Sequence, residues 1–224
     1  MSPSLANRRP ESLALIFQEV LTAIERFRAG RQAISDAAVF RQACHEALRM
    51  AASQAVNAGY GADDVKLASF ALVAFVDESV LASGNPVFVD WPRKPLQEEL
   101  FGTHVAGETF FAHLQQLLTR QDSPDLADLL EVHFLCMVLG FSGRYSIGHR
   151  GELHQIMNVT ADKIRRIRGR LGPLSPAGLP PAETVQVKVD PWIRRLAIAA
   201  IASAALLVVL FVVYKLVLGS GVRV

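Results

Sequence analysis

Two adjacent carboxylates, Asp77 and Glu78, follow a long apolar stretch at residues 65–76 and are the chemically most conspicuous pair in the sequence. Paired acids serve in general acid–base catalysis only beside a reacting group that they can reach. At the end of a helix that is apolar on nearly every face, the pair has a structural explanation: it faces solvent or bonds to a neighbouring arginine. A second explanation is an acidic edge that recognises a partner. The residues alone leave both open.

The histidines and cysteines supply no second candidate for chemistry. His104, Glu108 and His113 lie close in sequence but lack the i, i+4 histidine pair with which a helix holds zinc. Cys44 and Cys136 fall in apolar helical patterns, which predicts buried thiols rather than a disulfide or a nucleophile. We therefore predict no catalytic residue, no metal and no cofactor, and a protein that is not an enzyme.

A glycine-rich segment, GFSGRY at residues 140–145, resembles a ligand-binding loop only superficially. It lacks both the Lys-Ser/Thr ending and the preceding strand of a phosphate-binding loop. Gly140 and Gly143 allow backbone angles that other residues resist, so the segment is predicted to form a sharp connection between two helices.

Helices must position these residues, because apolar side chains recur at three- and four-residue steps through most of the first 170 residues. Asp36 and the Ser123-Pro124 pair are helix starts, and Gly30 and Gly140 are helix stops. An all-α domain of about seven helices follows. The predicted helices begin near residues 10, 36, 63, 96, 107, 123 and 152.

Three local expectations accompany this pattern. Asp63 or Asp64 is expected to cap the third helix, which should lie at the centre of the bundle because it is apolar on almost all faces. Val87–Val89 is a weak candidate for a short strand. The helix after Ser123 is expected to bury Phe134 and Val138 together with its leucines.

Residues 196–218 form an apolar run of 23 residues with one charge, Lys215. As a helix the run would extend about 34 Å, enough to cross a bilayer core of about 30 Å. Arg194 and Arg195 precede it and favour a cytoplasmic location for the N-terminal side. We predict a single-pass membrane anchor. Its leucines include Leu196, Leu206, Leu210 and Leu218.

The anchor implies a division of the chain into four parts. Residues 1–171 form the cytoplasmic helical domain, and the proline-rich residues 172–191 form an extended linker. Residues 192–218 contain the membrane anchor, and residues 219–224 form a short tail on the far side.

Charge is strongly segregated along the sequence. Residues 60–131 carry 12 acidic and 4 basic side chains, which argues against a nucleic-acid partner and suits a basic protein partner. The segment KIRRIRGR at residues 163–170 is basic. It could pair with the acidic middle of the chain, contact anionic lipid headgroups, or form a solvated helix face.

Several ordered motifs resemble the DotU family, also called IcmH-like or TssL, of type VI secretion systems, with relatives in type IVB systems. The resemblance covers about residues 12–170 and continues into the anchor. Ala106 departs from the family pattern, in which a glycine is common. The matching motifs are Asp77-Glu78, Trp91, Pro95-Leu96-Gln97, Leu100-Phe101-Gly102, Gly107-Glu108 with Phe110-Phe111, Leu130-Glu131 and residues 140–145.

The resemblance implies a cytoplasmic domain of two packed helical bundles, tail-anchored in the bacterial inner membrane. Family members join a larger inner-membrane protein of the TssM (IcmF-like) type and a lipoprotein of the TssJ type. The resulting complex docks the phage-like baseplate and tail. We therefore expect a structural scaffold that works as an oligomer within this complex.

A groove lined by acidic helix ends and the Trp91 loop is the expected docking site for a baseplate subunit. Arg144 is expected to make bidentate bonds to Asp77, Glu78 or Glu131. The candidate partner-binding residues are Asp77, Glu78, Trp91, Glu98, Glu99 and Arg144. The candidate structural-motif residues are Gly102, Gly107, Glu131, Gly140, Phe141, Gly143 and Tyr145.

A different class of function also fits the pattern. A tail-anchored adaptor or regulator, unrelated to secretion, could hold an amphipathic helix of a client in a groove of the helical domain. The sequence features above do not separate the two classes without the family resemblance.

Overall fold

The computed structural model describes residues 11–146 and 150–169, together with residue 203. The chain divides into two compact units, residues 1–171 and 172–224, and the fold described below is that of the first. The predicted linker and membrane anchor, including Leu196, Leu206, Leu210 and Leu218, lie outside the described residues.

Helices account for all regular structure in the described residues, which confirms the all-α prediction. They number eight rather than about seven because the first predicted helix is broken at Phe17. Phe17 is buried, and the apolar stripe continues across the break. The helices are α1 Leu13–Ile16, α2 Gln18–Arg28, α3 Ala37–Asn57, α4 Ala62–Ala82, α5 Leu96–Phe101, α6 Ala106–Thr119, α7 Pro124–Val138 and α8 Arg150–Arg168.

Helix α4 is the central element, as its apolar composition predicts. It is buried on successive faces and contacts α2, α3, α5, α6 and α7. The N-cap is Gly61, two or three residues earlier than the expected cap at Asp63 or Asp64. Asp63 and Asp64 are therefore not caps but lie in the first turn, where a carboxylate is favoured by the helix dipole.

Helix α7 packs along α4 in the same direction. The Cys136 thiol lies 3.9 Å from the Ala71 carbonyl, and one turn beyond Val138 the chain reaches the side chain of Glu78. Helices α1, α2 and α3 pack on this pair and on one another, whereas α5 and α6 pack on α4 and α8 packs on α7. The two predicted bundles thus share α4 and α7.

The start of α7 follows the sequence expectation. The Ser123 hydroxyl accepts a hydrogen bond from the Leu126 N–H at 3.1 Å, and Pro124 is the first helical residue. The predicted inner face was too wide, since Phe134 is only partly buried and Val138 is half exposed. Within the described residues, Pro124–Tyr145 is long and apolar enough to pass a length-and-composition test for a membrane span. Half of it is buried inside the domain, as expected for a core helix.

The connection between α4 and α5 forms two 3-10 turns, Pro86–Phe88 and Trp91–Arg93. The weakly predicted strand at Val87–Val89 is therefore wrong. The side chain of Asn85 accepts a hydrogen bond from the Val87 N–H at 3.0 Å, which closes the backbone into a turn instead of extending it.

Candidate functional site

Asp77 binds the loop that carries Trp91. Its carboxylate is 1% exposed and accepts hydrogen bonds from the indole Nε1–H of Trp91 at 2.8 Å and from the N–H of Leu96 at 2.9 Å. The second oxygen accepts from the N–H of Gln97 at 2.8 Å. Because these two N–H groups open α5, and Pro95 at its N-cap position makes no side-chain cap bond, Asp77 caps α5 from another helix.

Burial has a predictable effect on this carboxyl group. Loss of water raises the pKa of Asp77 above its ordinary value, and the hydrogen bonds from Gln97, Trp91 and Leu96 and the positive charge of Arg41 oppose that rise. A carboxylate in such a setting is stable only when its oxygens are well supplied with donors, which is the arrangement observed.

The capping continues from α5 to α6. The side-chain carbonyl of Gln97 accepts a hydrogen bond at 2.7 Å from the N–H of Ala106, the first residue of α6. Gln97 is itself buried, so this contact is sheltered from water. One carboxylate on α4 therefore positions α5 directly and α6 through Gln97.

Trp91 lies inside an aromatic cluster. Its ring centroid is 5.4 Å from that of Phe88 and 6.0 Å from that of Phe40, and it is 2% exposed. The guanidinium of Arg41 covers the indole at 4.1 Å and also bonds to Glu99 at 3.1 Å. The Trp91 loop is thus held from within by Asp77 and covered from outside by Arg41.

Glu78 binds a different loop. One carboxylate oxygen accepts from the backbone N–H and the hydroxyl of Ser142 at 2.9 and 3.2 Å. The other accepts from the N–H of Gly143 at 2.7 Å. Adjacent helical residues point about 100° apart, so consecutive carboxylates can fix two loops on different faces of α4.

A close backbone approach explains two of the predicted glycines. Gly143 has φ +48°, and a Cβ there would lie 2.7 Å from the Gly107 carbonyl oxygen and 3.0 Å from the Phe111 ring. A Cβ on Gly107 would in turn lie 3.3 Å from the Gly143 Cα. Glycine is required at Gly143 on both conformational and steric grounds.

Phe141 and Tyr145 pack the same loop onto α6. Phe141 is 1% exposed, and its ring centroid is 4.4 Å from that of Phe110. Tyr145 packs edge-on against Phe111 at 4.7 Å. Gly140, with φ +106°, ends α7 and turns the chain toward these contacts.

The expected bonds from Arg144 to Asp77, Glu78 or Glu131 are not formed. Asp77 and Glu78 are occupied by loop donors, and Glu131 binds Arg168 on α8 instead. The exposed Arg144 guanidinium donates to the hydroxyl of Tyr145 at 2.7 Å.

Arg166 and Arg168 at the basic end of α8 pair with acidic side chains of the middle segment, in agreement with the first of the three alternatives given for it. Arg168 bonds to Glu131 at 2.6 Å and to Asp128 at 2.8 Å. Arg166 bonds to Asp122 at 2.9 Å. Bonding to Glu131 raises the pKa of Arg168 further above its already high value.

Lys163 has a separate task. It is 6% exposed, and its ammonium donates to the carbonyls of Leu118 and Arg120 at 2.8 and 2.7 Å. These carbonyls end α6, so Lys163 is a C-terminal helix cap supplied by α8.

Two ends of the domain can now be distinguished. The motif end consists of Asp77, Glu78, Trp91 and residues 140–145. The exit end consists of the start of α4, the start of α7 and the last turn of α8, where the described part of the domain ends. About 21 Å of helix separates Asp64 from Glu78 along α4.

The six candidate partner-binding residues differ in accessibility. Asp77 and Trp91 are buried and bonded to each other, and Glu78 is partly buried and bonded to a loop. Glu98 lies 3.4 Å from His104, while Glu99 lies 3.1 Å from both Arg41 and His45. Arg144 is exposed. The residues do not line one shared acidic groove.

Both cysteine thiols have raised pKa values. Burial raises the pKa of Cys44 to about 12 and that of Cys136 still higher, so neither thiol is a nucleophile at neutral pH. Among the described residues, no group of three or more histidine, cysteine, aspartate or glutamate side chains is placed to hold a metal ion. What the site does is fix loops and helix ends relative to α4.

Sequence reasoning missed the residues that complete these contacts. Gln97 and Lys163 cap helices to which they do not belong, from 9 and from 43–45 positions away, and Arg41 covers Trp91 across 50 positions of sequence. The only available signals were polar residues on otherwise apolar faces. Such residues are ambiguous until their partners are known.

The family-level comparison matches residues 12–217 to the family described as "Type VI secretion system protein DotU". The chain belongs to the DotU family. It is a component of a type VI secretion system, and the alternative of a regulator unrelated to secretion is thereby set aside.

Solved structures agree with this assignment. The cytoplasmic domain of TssL from Acinetobacter baumannii is 28% identical, with a TM-score of 0.65 over 70% of this chain and 99% of that one. SciP/TssL from Escherichia coli enteroaggregative 042 is 23% identical, with a TM-score of 0.58 over 73% and 94% of the two chains. TssL from Vibrio cholerae is 18% identical, with a TM-score of 0.58 over 67% and 96%. The last two show a common fold. No curated protein matches the chain.

Proposed function

We propose that this DotU protein is a non-enzymatic scaffold of the type VI secretion membrane complex, anchored in the inner membrane and docking the cytoplasmic baseplate. The observation that carries the proposal is the build of the motif end. Asp77 and Glu78 hold two loops and the start of α5 in fixed positions through six hydrogen bonds, and Gln97 of α5 holds the start of α6 through a seventh. A rigid surface of this kind suits protein docking because little conformational entropy is lost on binding.

In this proposal Asp77, Glu78 and Trp91 act mainly as positioning residues. They set the shape of the two loops, while the accessible residues Glu98 and Glu99 belong to the neighbouring docking surface. This assignment differs from the sequence expectation, in which the acidic pair itself met the partner. Its support is that Asp77 and Trp91 are each no more than 2% exposed.

Anchoring is proposed to come from residues 196–218, with residues 172–191 as the tether. The supports are the length and apolar character of the run and the basic residues before it. The domain is then cytoplasmic, and the partners are the TssM/IcmF-like inner-membrane protein, the TssJ-like lipoprotein within the complex, and baseplate subunits.

Truncation tests the anchoring part of this proposal. A chain ending before Pro191 is expected to leave the membrane fraction and to fail to support secretion of effectors into the medium. The matched control replaces residues 196–218 with an unrelated apolar segment of equal length, and it should remain in the membrane. Full secretion by the truncated chain would show that the anchor is dispensable.

Co-purification tests the docking part. The intact chain, purified from membranes in detergent, is expected to retain a baseplate subunit together with the TssM-like protein. Recovery of the membrane partners alone would exclude baseplate docking by this chain.

A further inference from the structure

We propose that Arg144 is the central contact of a docking surface for a carboxylate-bearing segment of a partner protein. The inference rests on the proposed docking function and reverses the charge expected for the partner. The strongly acidic middle of the chain predicts a basic partner, whereas the structure places an unpaired cation at the accessible part of the motif end.

Many acidic side chains of residues 60–131 already have hydrogen-bond or ion-pair partners within the domain. Asp77 and Glu78 accept hydrogen bonds from loops, and Asp122, Asp128 and Glu131 bind the basic residues of α8. These carboxylates have partners already, so a basic partner would have to displace strong internal contacts to reach them.

Arg144 is the opposite case. Within residues 11–146 and 150–169 its guanidinium forms no ion pair with a carboxylate, yet it is held in place by Tyr145 and lies over the Phe111 ring at 5.7 Å. Most other arginines of the same region lie within 4.0 Å of a carboxylate oxygen. They are Arg28, Arg41, Arg49, Arg93, Arg120, Arg165, Arg166 and Arg168.

The loop beneath Arg144 keeps it in a defined position. Glu78 binds the N–H of Gly143, and Gly143 lies against Gly107 with no room for a side chain. The guanidinium lies over the Tyr145 ring at 4.9 Å as well as bonding to its hydroxyl. An ordered arginine on an aromatic support is the kind of group that dominates interface energetics, and a carboxylate is its bidentate partner.

The location favours a protein over a lipid surface. Arg144 follows the end of α7, whereas Arg168, at the end of the described part of α8, binds near the start of α7. About 18 Å of helix separates Asp128 from Gly140. The residue thus lies at the opposite end of the domain from the point where the chain continues toward the proposed anchor.

The test measures binding of the full-length chain in detergent to each purified cytoplasmic subunit of the same secretion system. The variants are Arg144→Glu, Arg144→Lys and Tyr145→Phe, with Arg165→Glu as the control because Arg165 is 70% exposed and lies near the exit end. Arg144→Glu is expected to weaken binding to one subunit by ~10-fold or more, and Arg144→Lys by less, since lysine keeps the charge but not the planar fork. Tyr145→Phe should weaken binding modestly, and Arg165→Glu should not.

A charge exchange identifies the contact. A photo-crosslinker at position 144 locates the adjacent acidic residue of the bound subunit, and replacing that residue with lysine should restore binding to the Arg144→Glu chain. Wild-type binding by Arg144→Glu, with intact folding, would overturn the inference while leaving the docking function in place. Loss of native near-ultraviolet circular dichroism in Arg144→Glu and Tyr145→Phe together would also overturn it, because the role would then be structural.

Two further outcomes reject the inference in different ways. If the unaltered chain binds no subunit of the system, the docking function fails and the inference fails with it. If Arg144→Glu instead weakens binding to vesicles containing phosphatidylglycerol and leaves subunit binding unchanged, the surface is a lipid contact.

Discussion

The motif end and the exit end of the domain use the same residue type in different ways. At the motif end, Asp77 and Glu78 accept hydrogen bonds from neutral N–H groups of loops and helix starts. At the exit end, Asp128 and Glu131 bind the cationic side chain of Arg168. The first arrangement depends on exact placement of oxygen atoms that are largely shielded from solvent, and the second depends on net charge at a partly solvated surface.

This difference predicts unequal tolerance to substitution. A buried carboxylate that caps helix starts has no isosteric replacement, because an amide carries a donor where an acceptor is needed. An ion pair at the surface can rearrange or be replaced by water. The four experiments below test the contrast from its largest expected effect to its smallest.

Asp77→Asn should destabilise the domain most, by about 3 kcal/mol, because the new amide group opposes one of the three N–H donors and leaves it buried without an acceptor. Thermal unfolding of the full chain is measured by fluorescence in a Trp192→Phe background, where Trp91 is the remaining tryptophan. Asp90→Asn is the matched control, since Asp90 is 76% exposed at its side chain. Equal midpoints for the two variants would mean that Asp77 is not a structural cap.

Lowering the pH should destabilise the domain through His133, a buried residue of α7. Burial lowers the pKa of His133 from about 6.5 to about 4, and its fully buried Nε2 has no partner among the described residues. Its neighbours include the Leu129 carbonyl, the Phe110 ring and His113, whose charge lowers the pKa of His133 further. A depressed pKa means that the stabilising contribution is complete above pH 6.5 and is lost as the pH falls toward 4.

The loss attributable to His133 amounts to about 3 kcal/mol between those pH values. His133→Gln keeps a donor for the Leu129 carbonyl and removes the titration. Between pH 6.5 and pH 4 the free energy of unfolding should therefore fall by about that much less in this variant than in the parent chain. The variant His154→Gln, at an exposed position, should follow the parent chain. Parallel curves for the parent and His133→Gln would assign the acid sensitivity elsewhere.

A pair of glycines separates conformational strain from steric crowding. Gly143→Ala should destabilise the domain by about 2 kcal/mol, because both the positive φ and the contact with the Gly107 carbonyl resist a Cβ. Gly102→Ala has a similar φ of +66° but open space around its Cβ, so about 1 kcal/mol is expected. Urea unfolding measures the free energy of unfolding of each variant. Equal losses in the two variants would mean that close packing at Gly143 adds nothing to the cost of its positive φ.

The smallest effects are expected at the exit end. Arg168→Gln should destabilise the domain by about 1 kcal/mol, after allowance for solvent around side chains that are 17–26% exposed. Arg166→Gln is the control, because its pair with Asp122 is 40–65% exposed and should leave the unfolding midpoint unchanged. If Arg168→Gln lowered the free energy of unfolding more than Asp77→Asn, the proposed difference between the two ends would be wrong.

Much of the secondary structure could be predicted because its signals are local. Asp36 and Ser123 cap helices at the expected positions, and the apolar character of residues 65–76 identifies α4 as the central helix. The errors concern short segments. The break at Phe17 accompanies the burial of that side chain, which periodicity does not record, and the 3-10 turn at Pro86–Phe88 follows from the hydrogen bond to the Asn85 side chain.

The sequence by itself determined the all-α class, the family motifs and the segregation of charge, since periodicity, residue order and composition are properties of a single chain. Tertiary structure decided what the charged residues do. Whether Asp77 meets a partner or caps α5, and whether Arg144 pairs with Glu131 or remains available, depends on which donors and acceptors from distant segments arrive within 3 Å. Hydrogen bonding and desolvation act only at that range, and no spacing along the chain specifies it.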